Sequence, residues 1–237
     1  GQAPAPVRML PGTTAYPSVR RTRMITVPNM APELREALIP AYAPCPAFAG
    51  GCSSMRWDPA RGHVPRGFCG ATGNVHDVGL VMVVAEPGDP HDHESHQGTP
   101  GSILDSAYSY AHDSFSNGRD AFHKNVRTVM DLCWPGLSYD EQMRRTWITE
   151  SVLCSADREC GPVPPAVERE CRKRYLERQL ALLSPALVVA FGLKARQRMR
   201  GIRDFHSASA VAPPGANRRA ARDSWAEIAA FVRTKFA

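Results

Sequence analysis

Lysine is scarce. Of 29 basic residues in 237, 25 are arginine and four are lysine. None of the four stands at an evident pocket position, so a Schiff-base lyase has no obvious nucleophile. Long apolar runs are absent too. The longest, residues 80–85 and 186–191, are strand-length and far short of the ~20 residues needed to span a bilayer. The chain does not start with a charged, then apolar, then small-residue segment; residues 1–17 are proline-rich and polar and read as a tail. The expectation is a soluble, cytoplasmic protein. No CxxC pair occurs. The seven cysteines, Cys45, Cys52, Cys69, Cys133, Cys154, Cys160 and Cys171, are an odd number, which speaks against a secreted disulfide framework and for reduced thiols or a metal centre. Internal repeats and low-complexity tracts are lacking as well.

What is present suits a globular chain. With 43% hydrophobic and 22% charged residues, it can build one sizeable core or at most two small ones, and it is too apolar for a disordered chain. The formal net charge is +6. Arginine's planar fork of donors suits phosphate, which permits a nucleic-acid partner. A GC-rich genome would raise arginine usage equally well.

Along the chain, residues 1–31 hold five prolines and read as an extended arm ahead of a single domain over 32–237. Residues 32–42 look helical up to Pro40. Residues 44–74 are rich in Gly, Pro and Cys, an ordered loop in need of a staple. Buried strands are expected over 79–85, 146–153, 185–191 and, shorter, 202–206. Helices are expected over 102–110, 120–130, 139–145, 164–183, 193–199 and 218–236. Strands alternating with helices predict an α/β protein with a parallel sheet covered on both faces, its ligand beyond the carboxyl ends of the strands.

Four constellations could carry chemistry. Residues 83–89 end a strand in Glu86-Pro87-Gly88-Asp89, which can aim a carboxylate and nearby N–H groups into a pocket, as hydrolysis of a glycosidic bond requires. His206 ends another expected strand, where it can donate to a leaving group. Each of these also fits an ordinary turn. Cys154 and Cys171, 17 positions apart, together with Cys45 and Cys52, could hold an iron–sulfur cluster or zinc, or could be scattered buried thiols. The run His91-Asp92-His93-Glu94-Ser95-His96 fits a divalent metal site or, since adjacent residues rarely ligate one ion, a solvated polar loop.

The order of these pieces resembles the uracil-DNA glycosylase superfamily, most of all its iron–sulfur branch, family 4. The resemblance runs from Cys45 to the C-terminus. It is carried by Trp147-Ile148-Thr149-Glu150-Ser151-Val152-Leu153-Cys154, a proline-rich link, Cys171, then Arg174-Tyr175-Leu176-Glu177-Arg178-Gln179-Leu180 leading to Pro185-Ala186-Leu187-Val188-Val189-Ala190-Phe191-Gly192. The family has a similar strand running to a cluster cysteine, then a helix of the form PYLxxQ opened by a second cysteine. The resemblance implies a three-layer α/β/α sandwich with a four-stranded, mostly parallel sheet. It implies hydrolysis of the uracil–deoxyribose bond in single- or double-stranded DNA by a monomer, a nucleotide flipped from the stack, and a [4Fe–4S] cluster on Cys45, Cys52, Cys154 and Cys171. A bacterial, nucleoid-associated protein in the cytoplasm follows.

Residue by residue, the resemblance puts water positioning on Glu86, beside Pro87; in family 4 the acidic residue stands one place earlier, on Ala85. His206, in His206-Ser207-Ala208, takes the place of the family's HPS and would hydrogen-bond uracil O2. Ala85, Gly88, Asp89, His96 and Glu150 would line the base pocket. Ser207, Ser209 and residues up to 214 would face the DNA, with Arg203, Arg218 and Arg219 on phosphates. Three departures stand out: Glu150 replaces the base-reading Asn, His96 replaces the stacking Phe, and six residues separate Cys45 from Cys52, a longer spacing than the family's. Three functions compete: a monofunctional glycosylase, a nucleic-acid-binding or damage-sensing relative without catalysis, and a metal-dependent hydrolase built on residues 91–96.

Overall fold

The computed structural model describes residues 29–156 and 161–236; all but the last three residues of the expected arm, and Cys160, lie outside them. β-Branched and aliphatic segments build the sheet. LVMVV forms β2 (Leu80–Val84), TWITE forms β3 (Thr146–Glu150) and LVVAF forms β4 (Leu187–Phe191), every residue buried. Strands apolar on both faces belong inside a parallel sheet. β2 lies between β3 and β4 and runs parallel to both, with Leu80 opposite Thr146 and Leu187.

Short edge strands complete the order β1-β3-β2-β4-β5: β1 (Cys69–Gly70) is antiparallel to β3, and β5 (His206–Ala208) is parallel to β4. The sheet thus has five strands where the sequence led to four, since a two-residue strand offers no period to read. β5 also starts where the expected strand 202–206 would have ended. Arg203 donates to the carbonyls of Leu180, Ser184 and Ala186 at 3.1, 2.8 and 3.5 Å, and this holds the preceding residues in a turn.

Helices cover both faces of the sheet. Alternate residues of a strand point to opposite faces. Trp147 donates to Gln179 of α6 (Glu177–Leu182) at 2.9 Å, while Thr146 accepts from Trp134, at the end of α3 (Ala121–Cys133), also at 2.9 Å. The α/β sandwich is therefore as expected. α1 (Pro32–Leu38) tightens into a 3-10 turn around Pro40, which has no N–H to continue the ladder. α2 (Pro100–Asn117) runs seven residues past its expected end at 110, capped at its start by Thr99. α4 (Tyr139–Arg145) and α7 (Leu193–Met199) fall where expected, and α8 (Arg219–Phe236) within one residue. The helix expected over 164–183 is one path in three pieces: α5 (Pro165–Cys171), a π-turn at Arg172–Leu176, and α6. Among the described residues no helix is long and apolar enough to cross a membrane.

Candidate functional site

Cys45, Cys52, Cys154 and Cys171 line one cavity, with Phe48 and Met55 among its apolar walls. Local structure brings them there. Pro46 opens a 3-10 turn, and Cys52 N–H closes back on the Ala47 carbonyl at 2.9 Å, so Cys45 and Cys52 face one space despite their long spacing. Cys154 follows β3 by four residues, and Cys171 ends α5. The π-turn then re-aims the helix, as such turns do at functional sites. It lets Tyr175 donate its hydroxyl to Cys45 Sγ at 3.1 Å, while Leu153 N–H donates to Cys171 Sγ at 3.3 Å.

Burial pushes the Cys52 thiol up to about 11 and Cys171 to about 12, and the neighbouring thiols push the same way. Cys154 is raised well above the usual range by burial, then by Cys171, Cys45 and Cys52. Four sulfurs lining one cavity could hold an iron–sulfur cluster or a zinc ion. Cys69 and Cys133 pack in the core outside this cavity.

The second polar region lies at the carboxyl ends of β2 and β3. Glu86 is bound twice from α7: by Lys194, and by Arg198 Nη1 at 2.5 Å. Lys194 is therefore a site lysine, which corrects the expectation that none is. Arg198 also donates to the Ala85 carbonyl at 3.0 Å, to Ser151 Oγ at 3.1 Å and, through Nε, to Glu168 on α5 at 2.7 Å. Glu150 ends β3 in register with Val84. It is buried, and its Oε2 has no hydrogen-bond partner. Its stem lies on Gly67, where a Cβ would come within 2.5 Å of Glu150 Cγ, at a φ of +86° that side chains rarely adopt. Burial first, then Glu86, raises Glu150 well above the usual carboxylate range.

Arg66 closes this end of the sheet. It donates to the Gly88 carbonyl and, at 2.7 Å, to Ser155 Oγ, and it lies 3.7 Å from Glu94. Asp89 is exposed beyond it. Burial works against ionised Glu94, but His96 at 3.0 Å and Arg66 hold its carboxyl below the usual range. His96 bonds Ser106 Oγ through its other nitrogen at 2.8 Å and is 1% exposed, so its ring offers no open face for stacking. The residue 91–96 run is thus not a wholly solvated loop; Glu94 and His96 are buried in a hydrogen-bonded knot.

His206 is not brought to this region. It opens β5 opposite Val189, level with Met82, about 7 Å before the level of Glu150. Its ring packs 4.7 Å from that of Phe231 in α8. Ser207 is exposed. Ser209 is tied to α8: its N–H donates to Ser224 Oγ at 2.9 Å, and its carbonyl accepts from Trp225 at 3.1 Å. Those bonds set the first turns of α8, with exposed Arg218 and Arg219, beside the carboxyl end of β5. Arg203 lies at the opposite end: the carbonyls it caps precede β4.

Sequence reasoning missed Arg66, Lys194, Glu168 and Arg198. Lys194 and Arg198 did carry a signal, since cations at i and i+4 share one helix face. Arg66 carried none. Compared with known protein families and with curated proteins, the chain matches no family and no curated relative.

Proposed function

We propose that the protein is a DNA glycosylase with an iron–sulfur cluster, hydrolysing the bond between uracil and deoxyribose in single- or double-stranded DNA, and monofunctional because Lys194 is engaged by Glu86. The observation that carries this reading is the meeting of Cys45, Cys52, Cys154 and Cys171 around one cavity. The resemblance selects those four cysteines, and scattered thiols would have no reason to meet. The bound cluster would supply a staple between the loop after α1, the exit of β3 and the end of α5.

The second support is the pair of acids at the carboxyl ends of neighbouring strands. Glu86, paired with Lys194 and Arg198, orients water and favours positive charge on the sugar. Glu150 and Arg66 stand where a flipped base would be read. Arg218 and Arg219 meet phosphate on the same side. In this reading the protein is a monomer that works in the bacterial cytoplasm on nucleoid DNA.

A second reading, binding without catalysis, is favoured by the double pairing of Glu86 and by the position of His206. One experiment separates them. Iron-loaded protein is incubated with uracil, hypoxanthine and normal oligonucleotides, single- and double-stranded, with and without chelator. Free uracil released with chelator present supports the glycosylase. Tight binding with no base released supports the second reading. Release abolished by removing a loosely held divalent ion would sink both.

A further inference from the structure

Two acids at the end of the sheet sit in opposite settings. Glu150 ends β3 opposite Val84, the last residue of β2, and Glu86 follows two residues later. Glu86 is held by Lys194 and Arg198 of α7. Glu150 has no ion pair among the described residues, and its buried Oε2 is unpartnered. The cations nearest to it are engaged elsewhere: Arg66 with Gly88, Ser155 and Glu94, and Arg198 with Glu86, Glu168 and Ser151. The groups that act on it are Glu86 from the loop after β2, Arg66 from the loop before β1, and Arg198 from α7. A buried carboxyl beside an ionised neighbour, with its cations taken, keeps its proton.

We propose that Glu150 is the acid of the pair, giving its proton to the departing base while Glu86 serves the water and the sugar. This rests on the glycosidic reading above. Carboxyls pushed apart by their surroundings are how hydrolases of sugar–oxygen glycosidic bonds divide acid from base, and the same division can serve a sugar–nitrogen bond. The C1′–N bond breaks and its electron pair stays on the base nitrogen. The Glu150 proton passes to the base. Water forms the new C1′–O bond, and its surplus proton goes to Glu86 and from there restores Glu150. A protonated carboxyl also presents a donor and an acceptor side by side, which matches the amide edge of a base. The ligand class is therefore a nucleobase, and the benefit is greatest for bases that leave poorly as anions.

The test uses the full, iron-loaded chain, wild type and Glu150→Gln. Gln keeps the shape and one donor but has no proton to transfer. Single-turnover release is followed across pH from oligonucleotides carrying uracil or 5-fluorouracil, which is the better leaving group. Infrared spectroscopy at neutral pH looks for the C=O band of a buried protonated carboxyl. The wild type should show that band and the variant should lack it. Wild-type release should fall as pH rises on the alkaline side. Glu150→Gln should lose about a hundredfold or more on uracil, the usual size of acid catalysis, and clearly less on 5-fluorouracil. Wild-type rates in a folded Glu150→Gln protein would overturn the proposal and leave the glycosylase reading standing. So would an ionised Glu150 in the wild-type infrared spectrum, which decides the matter even if the variant does not fold. A wild type that releases no base from any oligonucleotide removes the glycosylase reading and the proposal together.

Discussion

Cys154 and Glu150 stand four residues apart on one stretch of chain, yet they serve regions built in opposite ways. Around Cys154 the walls are largely apolar, with Glu170 and Arg174 also lining the cavity, and burial acts on this thiol before the other sulfurs do. Around Glu150 the space is crowded with charge: Glu86, Lys194, Arg198 and Glu168 form one chain of ion pairs, and Arg66, Glu94 and His96 form another. A thiol needs only to be brought to the right place to be a ligand. What a carboxylate does depends on which cation meets it, and those cations come from segments with no motif. The two regions are nevertheless joined. Glu168 lies three residues before Cys171 on α5, so Arg198 ties the helix that ends in Cys171 to Glu86.

The largest effect should come from the sulfur side. Purified protein should be brown, with about four irons per chain. Cys45→Ala or Cys171→Ala should lose most of that iron and cost more than about 3 kcal/mol, since a structural metal centre supplies folding energy directly. Cys69→Ala should keep the iron. Iron analysis and thermal melts read both. Full iron in Cys171→Ala would dissolve the distinction between the two regions.

Next comes the residue that joins them. The Arg198 side chain is 6% exposed and pairs two carboxylates. Arg198→Met leaves Glu86 with Lys194 alone and Glu168, one third exposed, without its partner, and should cost about 1–3 kcal/mol, the usual size for losing hydrogen bonds to charged groups. Arg198→Lys keeps the charge but not the fork, and should fall in between. If the coupling is real, Arg198→Met also binds its iron less tightly, seen as faster bleaching of the cluster colour under chelator. A melt unchanged from wild type would sever the link between sulfur side and charge side.

The same contrast governs what could be read from sequence. The three central strands and most helices were legible, because burial period and residue type decide them; the four cavity cysteines were picked out by the resemblance, since their spacing alone left scattered thiols equally open. Two-residue β1 was not, for want of a period. The late start of β5 was not, because it depends on Arg203 capping carbonyls of a distant helix. That start moves His206 from the end of a strand to its beginning, and so away from the carboxyl ends of β2 and β3. Glu86 was read as following a buried strand, as it does, but its partners were not read. Lys194 and Arg198 were readable as a pair on one helix face, without any sign that the face meets Glu86.

On the charge side, Glu150 and Glu94 should answer pH with opposite signs. Glu150 is raised in the folded state, so its contribution is whole below the usual carboxylate range, near 4.5, and is lost as pH climbs toward its folded value. The slope is at most about 1.4 kcal/mol per pH unit. Glu94 is held low, so its contribution is present above that range and is lost on acidification. Urea midpoints between pH 5 and 9 should therefore decline in wild type and flatten in Glu150→Gln. Parallel declines in the two proteins would mean that Glu150 is ionised throughout.

The smallest effect separates arginines that look alike in sequence. Arg203 holds three carbonyls at the amino end of β4, whereas Arg218 and Arg219 are exposed beside the carboxyl end of β5, on the side of the sheet where β2 and β3 end near Glu86 and Glu150. Binding to a duplex releases counterions, and each phosphate contact adds about −0.9 to the slope of log affinity against log salt. Arg218→Ala and Arg219→Ala should each flatten that slope by about one contact and leave the melt unchanged. Arg203→Ala should do the reverse: the slope stays, and the fold weakens because the carbonyls closing α6 lose their donors. Anisotropy titrations at several salt concentrations, beside thermal melts of the same proteins, give both readings. An Arg203→Ala protein that melts normally but loses a phosphate contact would put the DNA at the other end of the sheet, and Glu86 and Glu150 would then no longer face it.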